Sequence, residues 1–241
     1  MLTKTQAIVL HSLKYGETRL IVDMFTRSYG RLSFIVNIPK SSKSKIKKQF
    51  FQPLSLLEIE VDVRPKLQLQ KLSDARLAWA YSSIPFEPSK LSISIFLSEF
   101  LYYALHSEQH NENLFDYIVN SIQWLDGQPD RFANFHLVFL MRLSRFLGFY
   151  PNLDDYQAGN YFDLRESVFC LAPPVHRDIL NPEDAGKVQL LMRMDYSTMH
   201  LFRMSHQERN RFLEVALKYY RLHLPDFPEM KSVSVLQELF V

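Results

Sequence analysis

The first 76 residues alternate between hydrophobic and polar positions with the period of β-strands. In residues 57–63, aliphatic side chains alternate with acidic ones, which is typical of a strand with one buried face. Gly16 and Gly30 separate the first three hydrophobic segments, and glycine permits the positive φ that tight turns require. Strands are predicted at residues 5–13, 18–26, 31–38, 57–63 and 67–70. Five short strands predict a small β-barrel of the OB type, and an SH3-like barrel fits the pattern almost as well.

From residue 77 onward the hydrophobic spacing changes to the three-to-four-residue period of α-helices. Pro85 and Pro88 mark the boundary, because proline blocks helix continuation. Ser205 and Glu208 form a predicted capping box. Helices are predicted at residues 91–106, 113–125, 132–147, 183–194, 205–223 and 233–240, around an irregular region at 149–181. The predicted fold class is therefore α+β, with a five-stranded OB-type barrel domain at residues 1–78 and an all-helical C-terminal domain at residues 79–241.

Composition excludes several classes of function. The chain has 6 glycines and no glycine-rich phosphate-binding motif, so a nucleotide site of the usual kind is unsupported. Cys170 is the single cysteine, which excludes an intramolecular disulfide and a cysteine-based zinc site. The 8 histidines form no H-E-x-x-H motif, and no G-x-S-x-G motif occurs. No catalytic residue, metal site or cofactor is predicted.

The sequence also indicates where the protein works. Its N-terminal residues lack the features of a secretory signal, and the longest apolar run, residues 91–98, ends at Glu99. We therefore expect a soluble cytoplasmic protein without a membrane partner.

Charge is divided unevenly along the chain. Residues 1–76 hold 14 Lys and Arg against 6 Asp and Glu, a net charge of +8, whereas residues 77–241 hold 14 against 20, a net charge of −6. A basic segment attracts polyanions. Its cations can neutralise phosphates, and its aromatic rings can stack on unpaired bases, although the same rings could equally be core residues. The predicted phosphate contacts are Lys14, Arg19, Arg27, Arg31, Lys40, Lys43, Lys45, Lys47 and Lys48, and the predicted base contacts are Tyr15, Tyr29 and Phe34.

Several short motifs resemble, in order, those of the bacterial recombination mediator family RecO. They are Gly-Glu at residues 16–17, Phe-Thr at 25–26, Gly-Arg at 30–31, the segment from Gln to Glu at 52–58 and Gly-Phe-Tyr-Pro at 148–151. This resemblance implies an N-terminal OB fold, a helical C-terminal domain and a non-enzymatic role in DNA repair and recombination. It also implies binding of single- and double-stranded DNA, annealing of complementary strands and association with the nucleoid.

The resemblance implies protein partners as well. With RecR, such proteins help RecA to displace single-strand-binding protein from DNA, partly by binding the acidic C-terminal tail of that protein. For this tail we select Arg142 and Arg145, on the predicted helix 132–147. Many members hold four zinc-binding cysteines after the Gly-Phe-x-Pro segment. This chain has Asp154, Asp155 and Tyr156 there, so we expect no zinc. We expect the region to be held by packing of four aromatic residues, Tyr156, Tyr161, Phe162 and Phe169.

Three alternatives remain at the level of sequence. The barrel could be an interaction module that binds acidic peptides without contacting nucleic acid. It could bind RNA, because phosphate contacts do not identify the sugar. The region at 149–181 could hold an enzymatic site of a new kind.

Overall fold

The computed structural model of the chain describes residues 2–38 and 46–239. These residues form two compact units. The first contains the described residues up to Gly127 together with residues 229–239, and the second contains residues 128–228. The predicted domain boundary at residue 78 lies inside the first unit, and the predicted domain division stays a prediction. Among the helices of these two ranges, none is long and apolar enough to cross a membrane.

Five strands of the first unit close into a barrel. They are β1 (Thr3–Tyr15), β2 (Arg19–Thr26), β3 (Gly30–Asn37), β4 (Leu56–Val61) and β5 (Leu69–Leu77). Around the barrel the order is β1-β2-β3-β5-β4, with β4 pairing back to β1 and β3 pairing to β5 in parallel. This order is that of an OB-type barrel, so the predicted barrel followed by a helical region is confirmed.

The period-two pattern of the strands fills the barrel. In β2, Leu20, Val22 and Met24 point inward and are at most 6% exposed, and Phe34 and Val36 of β3 meet them. A bulge interrupts β1 between Val9 and His11. Burial of these aliphatic and aromatic side chains is the main stabilising contribution to the barrel.

Helices α1 (Pro88–Ala104) and α2 (Glu112–Gly127) complete the first unit together with a short C-terminal helix, residues 233–237. A buried carboxylate joins the segment before α1 to the end of α2. Asp126 accepts the backbone N–H groups of residues 82, 83 and 84 at 2.8, 2.8 and 3.0 Å. Nearby, the ammonium of Lys90 donates to the Ser83 hydroxyl at 2.7 Å. This cluster fixes the chain where it changes from strands to helices.

The second unit contains α3 (Phe135–Phe146), α4 (Pro182–Arg193) and α5 (His206–His223). The predicted capping box is confirmed, since the Ser205 hydroxyl accepts the N–H of Glu208 and the Glu208 carboxylate accepts the N–H of Ser205. With the C-terminal helix named α6 (Val233–Gln237), each predicted helix has a counterpart whose ends differ by a few residues.

The region predicted to be irregular holds a small antiparallel sheet. Its strands are β6 (Tyr161–Asp163), β7 (Val168–Cys170) and β8 (Ile179–Leu180), in the order β7-β6-β8. Three of the four expected aromatic residues pack together, because the rings of Phe162 and Phe169 lie 4.9 Å apart and Tyr156 meets Phe169 edge-on at 5.0 Å.

Candidate nucleic-acid interface

The tip of the β1–β2 hairpin gathers three of the predicted contacts. Gly16 forms the turn with a φ of +70°. Tyr15 and Arg19 face each other across the hairpin, with the Arg19 guanidinium 5.9 Å from the centre of the Tyr15 ring. Lys14 precedes them, and all three side chains are exposed, that of Tyr15 by 51%. The tip therefore presents two cations and one aromatic ring to solvent.

The lysine-rich segment leaves the barrel at the same tip. Asn37, near the end of β3, pairs with Arg19, and the N–H of Ile38 donates to the carbonyl of Thr18 at 2.6 Å. Lys40, Lys43 and Lys45 lie outside the described residues. Lys47 and Lys48 are exposed at the start of a 3₁₀ helix, residues 48–51, whose Phe51 is buried in the barrel core.

An apolar strip crosses the outer face of the barrel beside the tip. Leu13, Ile21, Ile35 and Lys71 are consecutive partners across β1, β2, β3 and β5. Leu13 is 55% exposed, the two isoleucines are half-buried, and Lys71 is exposed. Sequence reasoning selected none of these four residues, although the period-two pattern places them on the outward face. The strip is an apolar surface with a cationic end at Lys71, and unpaired bases could lie on it.

Two predicted phosphate contacts lie at the other end of the barrel and fasten it to helices. The guanidinium of Arg27 pairs with Asp116 of α2 and lies 5.0 Å from the ring of Phe115. Arg31 donates to the carbonyl of Tyr102 at 2.6 Å and covers its ring at 4.4 Å. The Arg31 side chain is 10% exposed. These arginines have structural partners in the first unit, so neither belongs to the surface at the tip.

The predicted base contacts differ in accessibility. Phe34 is fully buried in the barrel core, and Tyr29 is half-buried against the same core. A base cannot stack on a ring that has no exposed face, so Phe34 is unavailable for stacking in this structure. Of the three predicted rings, Tyr15 is the one at the exposed tip.

The two arginines selected for an acidic peptide lie in the second unit. Both are exposed on α3. Arg142 donates to the carbonyl of Met194, at the end of α4, over 3.1 and 3.3 Å, and the Arg145 guanidinium lies 5.7 Å from the ring of Tyr150. On α4, Leu190 is 43% exposed and Arg193 is exposed as well. Cationic and apolar groups are therefore both available on this pair of helices.

Comparison with known proteins covers both parts of the chain. Family models described as the N-terminal and C-terminal parts of recombination protein O match residues 1–81 and 85–232. The chain belongs to the RecO family. It is 52% identical over 240 residues to the DNA repair protein RecO of Phocaeicola vulgatus and 53% identical over 241 residues to that of Bacteroides fragilis. The RecO protein of Flavobacterium psychrophilum is 34% identical over 242 residues, and each match covers 100% of both chains.

Within this RecO-family chain, charged side chains brace the small sheet at residues 161–180. Asp163 of β6 is 6% exposed, and its carboxylate meets the ring nitrogen of His176 at 3.1 Å. Asp178 pairs with Arg165 at 2.6 Å and with Lys218 of α5 at 2.8 Å. Hydrogen bonds from these two cations hold the pKa of Asp178 below its ordinary value. In the described ranges, no three His, Cys, Asp or Glu side chains form a group suited to a metal ion.

Proposed function

We propose that this protein is a non-enzymatic DNA-binding mediator of recombination and repair, whose barrel binds single- and double-stranded DNA at the tip of the β1–β2 hairpin. The observation that carries the proposal is the exposed group of Lys14, Tyr15 and Arg19 at the point where the lysine-rich segment leaves the barrel. Membership in a family whose relatives are named DNA repair proteins supports it.

The chemistry of the tip suits both forms of DNA. Lysine and arginine contact phosphates, which single strands and duplexes share, so these contacts carry no sequence information. Tyr15 and the apolar strip can contact only unpaired bases, because the bases of a duplex are already stacked on each other. Stacking on an aromatic ring contributes about 1–3 kcal/mol per base.

Strand annealing is expected of a protein that holds DNA by its phosphates and leaves the base edges free. A strand held mainly through its phosphates keeps its base edges available for pairing with a second strand. Cations that neutralise the phosphates also lower the repulsion between two strands. We infer that the protein anneals complementary DNA strands and, with RecR, assists RecA loading on DNA coated by single-strand-binding protein.

Salt dependence tests the proposal. Fluorescence anisotropy of a labelled single-stranded oligonucleotide should give an association constant that falls linearly with salt on logarithmic axes. Four cations at the tip and the start of the 3₁₀ helix, or seven with the lysines at 40, 43 and 45, predict a slope between about −3 and −5, at about −0.7 per neutralised phosphate. A variant with Lys47→Glu and Lys48→Glu should show a shallower slope. A flat response of the unaltered protein would contradict phosphate binding and favour the peptide-binding alternative.

For the acidic tail of single-strand-binding protein we propose Arg142 and Arg145. Changing Arg145 to Glu should weaken binding of a synthetic acidic tail peptide by about tenfold, which corresponds to 1.4 kcal/mol. Arg203→Glu, an exposed arginine outside α3 and α4, is the matched control. Isothermal titration calorimetry gives the peptide affinity of the unaltered protein, the α3 variant and the control. Equal affinities of all three would exclude this surface.

A further inference from the structure

A groove of about 580 Å³ lies in the first unit between β1 and α1. His11 and Ser12, which follow the bulge of β1, form one wall, and Ile95 and Tyr103 of α1 contribute to the other. Ile95 is 41% exposed. The groove therefore offers an apolar side chain and an aromatic ring directly beside the main chain of a strand.

The main chain of β1 has an open edge at this groove. β4 pairs with residues 3–8 of β1, and Val9 exchanges backbone hydrogen bonds with Leu54 and Ser55 at 2.9 and 3.0 Å. Beyond the bulge, residues 11–15 pair with β2 on one side, and no strand of the described ranges pairs with the other side. An antiparallel strand directs its main-chain groups alternately to its two sides. Such an edge is a template for another strand.

Side chains of α1 already bind the main chain of β1 beside this edge. The hydroxyl of Ser98 donates to the carbonyl of Leu10 at 2.5 Å. Glu99 accepts the N–H groups of Lys231 and Ser232 at 3.0 and 2.8 Å, which fixes the residues that close the groove. Ser232 lines the groove together with Lys231.

The charges of the groove favour a peptide over a nucleic acid. Lys231 supplies a positive charge and Glu99 a negative one, so the lining is nearly neutral. A nucleic-acid strand needs several cations for its phosphates, and those lie at the hairpin tip. A neutral apolar groove beside an open strand edge suits an extended polypeptide, which pairs through its main chain and places alternate side chains in a pocket.

We propose that this groove binds an extended, uncharged and apolar segment of a partner protein, which adds a strand to β1 along residues 11–15. One apolar side chain of the segment lies against Ile95 and Tyr103. This interaction does not rest on DNA binding, because it uses none of the cations of the tip.

Selection from a displayed library of random dodecapeptides on the full-length protein supplies the probe. The synthesised peptide should bind the unaltered protein and lose at least about tenfold in affinity to Ile95→Lys. Leu222→Lys on α5 is the matched control, because Leu222 is 37% exposed where Ile95 is 41% exposed. Peptide binding should slow hydrogen exchange at residues 11–15, while DNA binding stays within about twofold in both variants.

Methylation of backbone amides in the peptide distinguishes binding by strand addition from binding through side chains alone. Alternate amides of an added strand face β1, so methylating one alternate set should abolish binding and methylating the other should leave it within about threefold. The proposal is overturned if no peptide is selected, if Ile95→Lys binds as well as the control, if both methylated peptides bind, or if residues 11–15 gain no protection. Protection of these residues by dimerisation alone would assign the edge to a second copy of this chain instead.

Discussion

Replacing Gly30 by alanine should destabilise the first unit by about 2–5 kcal/mol. Gly30 adopts a φ of +69°, a region that costs an L-residue about 1–2 kcal/mol. An added Cβ would also lie 2.5 Å from the carbonyl carbon of Gln109 and 2.7 Å from the carbonyl oxygen of Glu108. Backbone cannot yield as a flexible side chain can, and overpacking of this kind costs about 1–3 kcal/mol more.

Gly16→Ala is the matched control for this prediction. Gly16 has nearly the same φ, +70°, but nothing lies within 4 Å of the added Cβ. Gly16→Ala should therefore lower the free energy of unfolding only by the conformational cost of the positive φ, about 1–2 kcal/mol. Both tryptophans of the chain, Trp79 and Trp124, lie in the first unit, so urea unfolding followed by tryptophan fluorescence reports on that unit. If the free energy of unfolding decreased equally in the two variants, the backbone of residues 108–109 would have to move aside easily for the added Cβ of residue 30.

Replacing Asp126 by alanine should cost about 3–5 kcal/mol in the same assay, because it leaves several buried donors without an acceptor. The carboxylate is 5% exposed and accepts three backbone N–H groups and the Ser82 hydroxyl. Ser82→Ala removes one of these donors and should cost no more than about 1–3 kcal/mol. A loss of less than 1 kcal/mol for Asp126→Ala would mean that the segment before α1 is held by apolar packing alone.

The contribution of Asp126 should depend on pH. Burial raises the pKa of this carboxyl, but hydrogen bonds from the backbone of residues 82–84 and from the Ser82 hydroxyl outweigh it and hold the pKa below its ordinary value of 3.8. A carboxyl whose pKa is lower in the folded state stabilises the protein above its unfolded pKa. The difference in stability between the unaltered protein and Asp126→Ala should therefore be constant from about pH 7 to pH 5. It should narrow as the pH falls below 3.8.

Hydrophobic period predicted the barrel and the helices because it reports which side chains are buried. The same period-two pattern places Phe34 on the inward face of its strand, together with Val36. A phenylalanine beside basic residues was instead interpreted as a base contact, since composition alone does not distinguish a core ring from an exposed one. The strands of the small sheet contain 3, 3 and 2 residues, too few for a period to be recognised.

The roles of Arg27 and Arg31 could not be predicted because their partners are distant in sequence. Asp116 lies 89 residues after Arg27, and Tyr102 lies 71 residues after Arg31. No local pattern connects such pairs, and an arginine that fastens a helix has the same local sequence as one that binds phosphate. The hairpin tip was more predictable, because a turn and its two flanking strands bring Lys14, Tyr15 and Arg19 together locally.

Charge reversal at the hairpin tip tests the central claim most directly. The association constant for a labelled single-stranded oligonucleotide at fixed low salt would be measured for Lys14→Glu with Arg19→Glu. The control is Arg177→Glu with Arg203→Glu, which alters two exposed arginines of the second unit and changes the net charge by the same amount. We predict a loss of at least about tenfold for the tip variant and less than about twofold for the control. Equal affinities in the two variants would contradict binding at the tip.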